Sequence, residues 1–352
     1  MSPRILSSGS LDSFNPVMVT PVIGNEFPKD SCNIVDDILQ HVDRDQQIRD
    51  LAVMVAERGV VFFRSQTNLS NSAQKTLITL MGSLTTRPPT HGLHIHPVTN
   101  DKREFGDPDP QISTISSEGR KILYKGSAYT QMAAVWHSDI AFENAPADFS
   151  SLRLTQLPTT GGDTLWASGY ENYDRNSGPY RRFLEGLTAT FVGEGFRRMA
   201  ESGRFEMHTG ERGAPVNVGK ELVAVHPGIG GKDESDYGVE VDFSGCLLLI
   251  GSFASQINGL SRRESKAVLQ YFNDLVTYGH DLQVRFKWNE PHDIAIWDNR
   301  SVFHTATGDH EGHGSRSGNR AVGVGEVPYF NPESKSRREE LGLKEMLASA
   351  HL

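Results

Sequence analysis

The chain has 352 residues, 37% of them apolar, which is enough for a real core in one large domain or two ordinary ones. A net charge of −9 with no basic stripe argues against nucleic acid or an anionic membrane surface as partner. Cys32 and Cys246 are too few for a disulfide framework, the first ten residues lack a secretory h-region, and no apolar run is long enough to span a bilayer, so the expectation is a cytoplasmic protein.

Residues 1–30 are rich in Ser, Pro and Gly and predict an irregular lead-in, with a short extended piece over 17–23. The apolar spacing of Ile48, Leu51, Ala52, Met54 and Val55 predicts a helix over 43–58, stopped by Gly59. Val60-Val61-Phe62-Phe63 reads as a fully apolar strand. Ser70 or Asn71 is placed to cap a second helix reaching about Leu84. His91, His94 and His96 then crowd six residues. A cupin-type metal site is one reading, and a histidine-bearing loop at a pocket edge is the preferred one. Residues 100–130 are charged and turn-rich and predict an exposed loop, placed to act as a lid.

The next stretch, Val135-Trp136-His137-Ser138-Asp139-Ile140-Ala141-Phe142, favours a β conformation. On a strand, residues i and i+2 share a face, so His137 and Asp139 would project together. A second histidine would complete the two-histidine, one-carboxylate face that suits Fe(II), and His304 is the candidate. The His-x-Asp tripeptide alone is a weak signal, because most such pairs are surface residues.

Further along, 149–156 reads as a strand, Gly161-Gly162 as a tight turn, and 171–187 as a helix interrupted near Ser177-Gly178-Pro179. Residues 200–225 resist assignment. Strands are expected at 226–228, 246–250, 282–288, 293–297 and 319–327, with a helix over 266–277 behind the capping-box spacing of Ser261 and Glu264. The fold class expected is mainly β with flanking helices and a distorted jelly-roll core, as a single domain over 31–330 with a charged, helix-prone tail over 331–352.

Arg316 and Arg320 follow His304 by twelve and sixteen residues. Their even spacing lets both face one side of an extended strand. Two buried guanidiniums require anions, and arginine meets a carboxylate or sulfonate by paired hydrogen bonds.

Taken together, these stretches resemble the taurine/2-oxoglutarate (TauD-like) dioxygenase family. The resemblance rests on Leu93-His94-Ile95-His96-Pro97-Val98, on Trp136-His137-Ser138-Asp139 and on Leu157-Pro158-x-x-Gly161-Gly162-Asp163-Thr164-Leu165-Trp166. Two later stretches complete it, Asp293-Ile294-Ala295-Ile296-Trp297-Asp298-Asn299-Arg300 and Arg320-Ala321-x-x-x-Gly325. It covers about residues 45–330 and implies a double-stranded β-helix (jelly-roll) fold. It also implies Fe(II) on His137, Asp139 and His304, with 2-oxoglutarate and O2 as cosubstrates. Arg316 and Thr164 then match the groups that bind the far carboxylate of 2-oxoglutarate. Arg320 and His96 match the grip on the substrate's anionic head, and Phe253 the aromatic wall. Ala133 and Thr99 stand where taurine dioxygenase has an asparagine and a tyrosine, so the amine end of the pocket has changed.

The expected reaction is oxidation of an unactivated C–H bond of a small anionic substrate, a sulfonate or an amino-acid-like carboxylate, with release of succinate and CO2. Desaturation or cyclisation of an aliphatic amino acid in a biosynthetic pathway would use the same chemistry. A non-catalytic jelly-roll anion-binding protein is the rival from another class. Self-association into a homo-oligomer is left open.

Overall fold

Val60–Phe63 (β3) carries four apolar side chains in a row, and all four are buried, so the strand needs cover on both faces. A computed structural model supplies that cover. It describes residues 6–98, 107–117, 136–203, 207–208, 212, 222–227, 229–230, 246–247, 251, 253–332 and 335–343. β3 lies inside a seven-stranded sheet of order β1 (Val17–Met18), β2 (Asn25–Phe27), β3, β13 (Ile294–Asp298), β5 (Ala147–Gln156), β15 (Ser317–Val324) and β4 (Ser113–Ser116). Only the β2–β3 pair is parallel.

On one face of this sheet lie α1 (Arg44–Arg58) and α2 (Asn71–Gly82), packed through Leu51, Val55, Leu77 and Met81. Ser70 caps α2 by accepting from the Ala73 N–H at 3.1 Å. Gly59 ends α1 at φ +74°, where an added Cβ would sit 2.6 Å from Val302 Cγ1. Only glycine fits there. The other face meets a three-stranded sheet, β12 (Gln283–Phe286), β6 (Thr164–Ser168) and β14 (Val302–Ala306). Phe62, Trp297 and Leu152 from the large sheet pack there against Trp166, Phe286 and Val302.

The small sheet is in turn covered by β11 (Ala254–Ile257), β7 (Thr188–Val192) and β8 (Val223–Pro227), together with α6 (Arg262–Tyr278), through Phe191, Ile257 and Phe272. Shorter pieces are α3 (Gly169–Asp174), α4 (Gly178–Glu185), α5 (Glu194–Glu201), α7 (Arg337–Glu340) and the ribbon of β9 (Ile229–Gly230) with β10 (Cys246–Leu247). The protein is thus mainly sheet with several helices. No described helix is long and apolar enough to cross a membrane.

The interruption expected near 177–179 separates α3 from α4, with Ser177 opening α4 and Pro179 in its first turn. Other expectations need correction. Residues 113–116, placed in an exposed loop by their charged surroundings, form β4 on β15. Of the rest of that loop, only 107–112 and 117 are described, so a lid there lies largely outside the described residues. In the lead-in, the extended piece expected over 17–23 is a strand only at Val17–Met18, and Asn25–Phe27, which was not expected, joins it to the edge of the large sheet. Strands β7 and β11 and helix α5 carried no pattern strong enough to be foreseen.

Candidate active site

His304 sits at the centre of β14, with its ring 5.0 Å from that of Trp297. His137 joins that strand by a single antiparallel bridge: each residue's N–H donates to the other's carbonyl, at 3.1 and 2.9 Å. The two imidazoles lie 4.3 Å apart between ring centroids. The expected strand does not continue to Asp139. Asn299, in the turn after β13, accepts from the Asp139 N–H at 2.7 Å and donates to the Asp139 carbonyl at 3.0 Å. The Ser138 hydroxyl donates to the Val302 carbonyl at 3.0 Å, and Ile140 takes a positive φ of 50°. These bonds replace a strand ladder with a clamped turn.

That turn brings Asp139 to the histidines. One ligand atom from each of His137, Asp139 and His304 falls within 4.8 Å of the others. Asp139 Oδ1 is 4.0 Å from His137 Nε2 and 3.8 Å from His304 Nε2. Asp139 Oδ2 and His304 Nδ1 are buried without a hydrogen-bond partner among the described residues. Burial, aided by neighbouring His137, pushes His304 down to about 3, so its ring is neutral at pH 7. Burial alone would raise Asp139, but Arg320 and the two histidines outweigh it and hold the carboxyl at about 2. A neutral imidazole and an ionised carboxylate are the states that bind a divalent cation.

Arg316 and Thr164 come together as a second group. Arg316 Nη2 donates to Thr164 Oγ1 at 3.0 Å and its Nε to the Gly162 carbonyl at 2.8 Å, while Trp288 Nε1 also donates to Thr164 Oγ1 at 3.1 Å. Arg320 instead reaches Asp139 Oδ1 through Nη1 at 2.6 Å. His96 is buried, edge-on to Phe196 at 5.0 Å, and pushed well down by burial and then by the charge of Arg320. Phe253 stands edge-on to His137 at 5.8 Å and packs on Phe142 at 4.9 Å, which gives the site an apolar wall. Ala133 and Thr99 lie outside the described residues.

The sequence did not reveal what holds this site in place. Glu143, four residues after Asp139, is buried and accepts from Arg212 Nε at 2.6 Å and Nη2 at 3.0 Å, with His94 Nε2 at 3.2 Å. Despite burial, His94 and Arg212 hold its carboxyl below the usual range. His94 is therefore tied to Glu143 rather than to a cupin-type metal cluster. Asn299 was legible only as part of the Trp-Asp-Asn-Arg stretch, and nothing in the sequence marked Arg212.

The family model for "Taurine catabolism dioxygenase TauD, TfdA family" matches residues 20–322. The chain belongs to the TauD, TfdA family. A relative from Neocamarosporium betae, the alpha-ketoglutarate-dependent dioxygenase btcD, is 41% identical over 345 residues, covering 94% of this chain and 96% of its own. The alpha-ketoglutarate-dependent sulfonate dioxygenase of Saccharomyces cerevisiae is 32% identical over 264 residues, or 74% of this chain and 57% of its own. Among solved structures, a taurine dioxygenase from Burkholderia xenovorans superposes with a TM-score of 0.64 at 24% identity, over 91% of this chain and 93% of its own, a likeness of fold. As a TauD, TfdA family member this protein is an enzyme, a non-haem dioxygenase that works with Fe(II), 2-oxoglutarate and O2.

Proposed function

We propose that this dioxygenase oxidises an unactivated C–H bond of a small anionic substrate, a sulfonate or an amino-acid-like carboxylate, with His137, Asp139 and His304 as iron ligands. The observation that carries this reading is the convergence of two imidazoles and one carboxylate, whose ligand atoms fall within 4.8 Å of one another. That donor set suits Fe(II) and leaves coordination positions for other ligands. We also read the two facing sheets as the halves of a jelly-roll, residues 31–330 as one domain, and the cytoplasm as its location.

His137, Asp139 and His304 would hold Fe(II), which with 2-oxoglutarate and O2 would supply the chemistry that oxidises the substrate's C–H bond and yields succinate and CO2. The protein's own side chains bind and orient. Arg316 and Thr164 form a pair matched to the distal carboxylate of 2-oxoglutarate. Arg320 and His96 take the substrate's anionic head and so fix which carbon faces the iron. Phe253 and Phe142 present an apolar surface to the substrate's body and exclude water. The sulfonate substrate named for the yeast relative supports the choice of anionic head.

The test is succinate release by Fe(II)-loaded protein, purified without oxygen, with 2-oxoglutarate, O2 and a panel of sulfonates and amino acids. Succinate formed in step with one compound's oxidation is the expected result. Mass analysis of that product separates hydroxylation from desaturation or ring closure. Iron-loaded protein that binds 2-oxoglutarate and forms no succinate contradicts the proposal in favour of a non-catalytic anion-binding role.

A further inference from the structure

Arg320 holds Asp139 by the one carboxylate oxygen that faces both imidazoles. Oδ1 is the oxygen 4.0 Å from His137 Nε2 and 3.8 Å from His304 Nε2, and the same atom accepts from Arg320 Nη1 at 2.6 Å. The other oxygen, Oδ2, is buried with no hydrogen-bond partner among the described residues. Arg320 Nε is likewise buried without a partner there, so the guanidinium has donor capacity that Asp139 does not absorb. The backbone leading to His96 runs beside the strand that carries Arg320, with a bridge between Leu93 and Gly323 and the His94 N–H donating to the Val322 carbonyl at 2.8 Å. Burial and then the charge of Arg320 lower the pKa of the His96 ring. One side chain thus touches the carboxylate of the metal group and lies on the strand beside the segment that carries His96, the residue assigned to the substrate's anion.

A guanidinium and a divalent ion drawn to one carboxylate oxygen each weaken the other's hold on it. A divalent ion drawn to Oδ1 meets a guanidinium already there, and the two positive charges repel in a poorly solvated site. An anion that draws Arg320 towards His96 removes that competitor. Linkage then requires the converse: the metal, by displacing Arg320 from Asp139, frees it for the anion.

We propose that Arg320 is a shared counter-ion that couples metal binding to substrate-anion binding, competing with the metal for Asp139 until an anionic head draws it away. This rests on the assignment of His137, Asp139 and His304 as metal ligands and adds an order to the events at that site. Metal is held loosely without the anionic substrate and tightly with it. Iron that is tightest when substrate is present suits an enzyme whose oxidation is harmful when uncoupled.

The experiment is calorimetric titration of Mn(II), a redox-stable probe, into the full chain without oxygen and with saturating 2-oxoglutarate, so that Arg316 is already engaged. Arg320→Gln is expected to bind Mn(II) at least about fivefold more tightly than wild type, the lower end of ordinary coupling between sites. In wild type, sulfate against chloride at matched ionic strength is expected to tighten Mn(II) binding, and in Arg320→Gln to leave it unchanged. The wild-type arm needs no variant and stands even where Arg320→Gln unfolds. A folded Arg320→Gln that binds Mn(II) no more tightly overturns the competition. Sulfate that has no effect on wild type, or an equal effect on both proteins, overturns the coupling. His304→Ala is the separate control: if it keeps wild-type Mn(II) affinity, the metal assignment itself has failed.

Discussion

Asp139 is where the charges of the site meet, since one buried carboxylate faces two imidazoles and a guanidinium. Asp139→Ala, like His137→Ala, is expected to abolish Fe(II)-dependent succinate formation, and retention of wild-type turnover by either would break the ligand assignment. In the proposed assignment Arg316 and Thr164 share the distal carboxylate of 2-oxoglutarate. Loss of a charged hydrogen-bonding group costs about 2 kcal/mol, so Arg316→Ala should raise the 2-oxoglutarate KM roughly thirtyfold. Thr164→Val removes one hydroxyl donor to that carboxylate, for about 1 kcal/mol or roughly fivefold. Steady-state kinetics on 2-oxoglutarate checks both, and a larger effect from Thr164 than from Arg316 would reverse their roles. Arg212 acts on stability. Arg212→Met leaves the buried Glu143 carboxylate with His94 as its remaining partner among the described residues, and breaking such a pair costs about 3 kcal/mol, readable as a lower urea midpoint.

Among the elements, the turn before β6 links sequence most directly to the site. Gly162 has φ +73°, and a Cβ there would lie 2.9 Å from Arg316 Cδ. Gly162→Ala should therefore displace Arg316 and raise the 2-oxoglutarate KM while leaving metal affinity unchanged; equal effects on both would show a general collapse instead. Helix α1 offers a test by pH. Its buried Asp50 accepts from the backbone and hydroxyl of both Ser8 and Ser10, at 2.7 to 3.1 Å. Burial alone would raise Asp50, but these bonds hold it at about 2, below its unfolded value near 4. A depressed carboxyl stabilises the fold above its unfolded pKa and loses that contribution as pH falls through the folded one. Wild type should thus lose stability from about pH 4 towards pH 2 more steeply than Asp50→Asn. Parallel acid-unfolding curves would contradict this.

Over the whole molecule, the site depends on the core between the large and small sheets. Trp297 from one sheet packs edge-on against Trp166 and tilted against His304 from the other, at 5.7 and 5.0 Å between ring centroids. Trp297→Ala should cost about 3–5 kcal/mol and loosen His304 with it. Much of this was legible in the sequence where one local rule dominated. Helices α1 and α2 followed from apolar spacing and a serine cap, β3 from an unbroken apolar run, and the grouping of His137, Asp139 and His304 from residue chemistry and the family resemblance. What stayed hidden depends on contacts distant in sequence. Asn299 clamps Asp139 from 160 positions away and turns an expected strand into a loop. Arg212 pairs with Glu143 across 69 positions, and β4 forms only because β15 offers an edge. The central claim is that His137, Asp139 and His304 together hold the iron that turns over 2-oxoglutarate. Its most direct test is Fe(II) binding and succinate formation measured side by side, without oxygen and then with it, in wild type, Asp139→Ala and His304→Ala. The account predicts iron and succinate in wild type and loss of both in each variant. Succinate at the wild-type rate from either variant would contradict it.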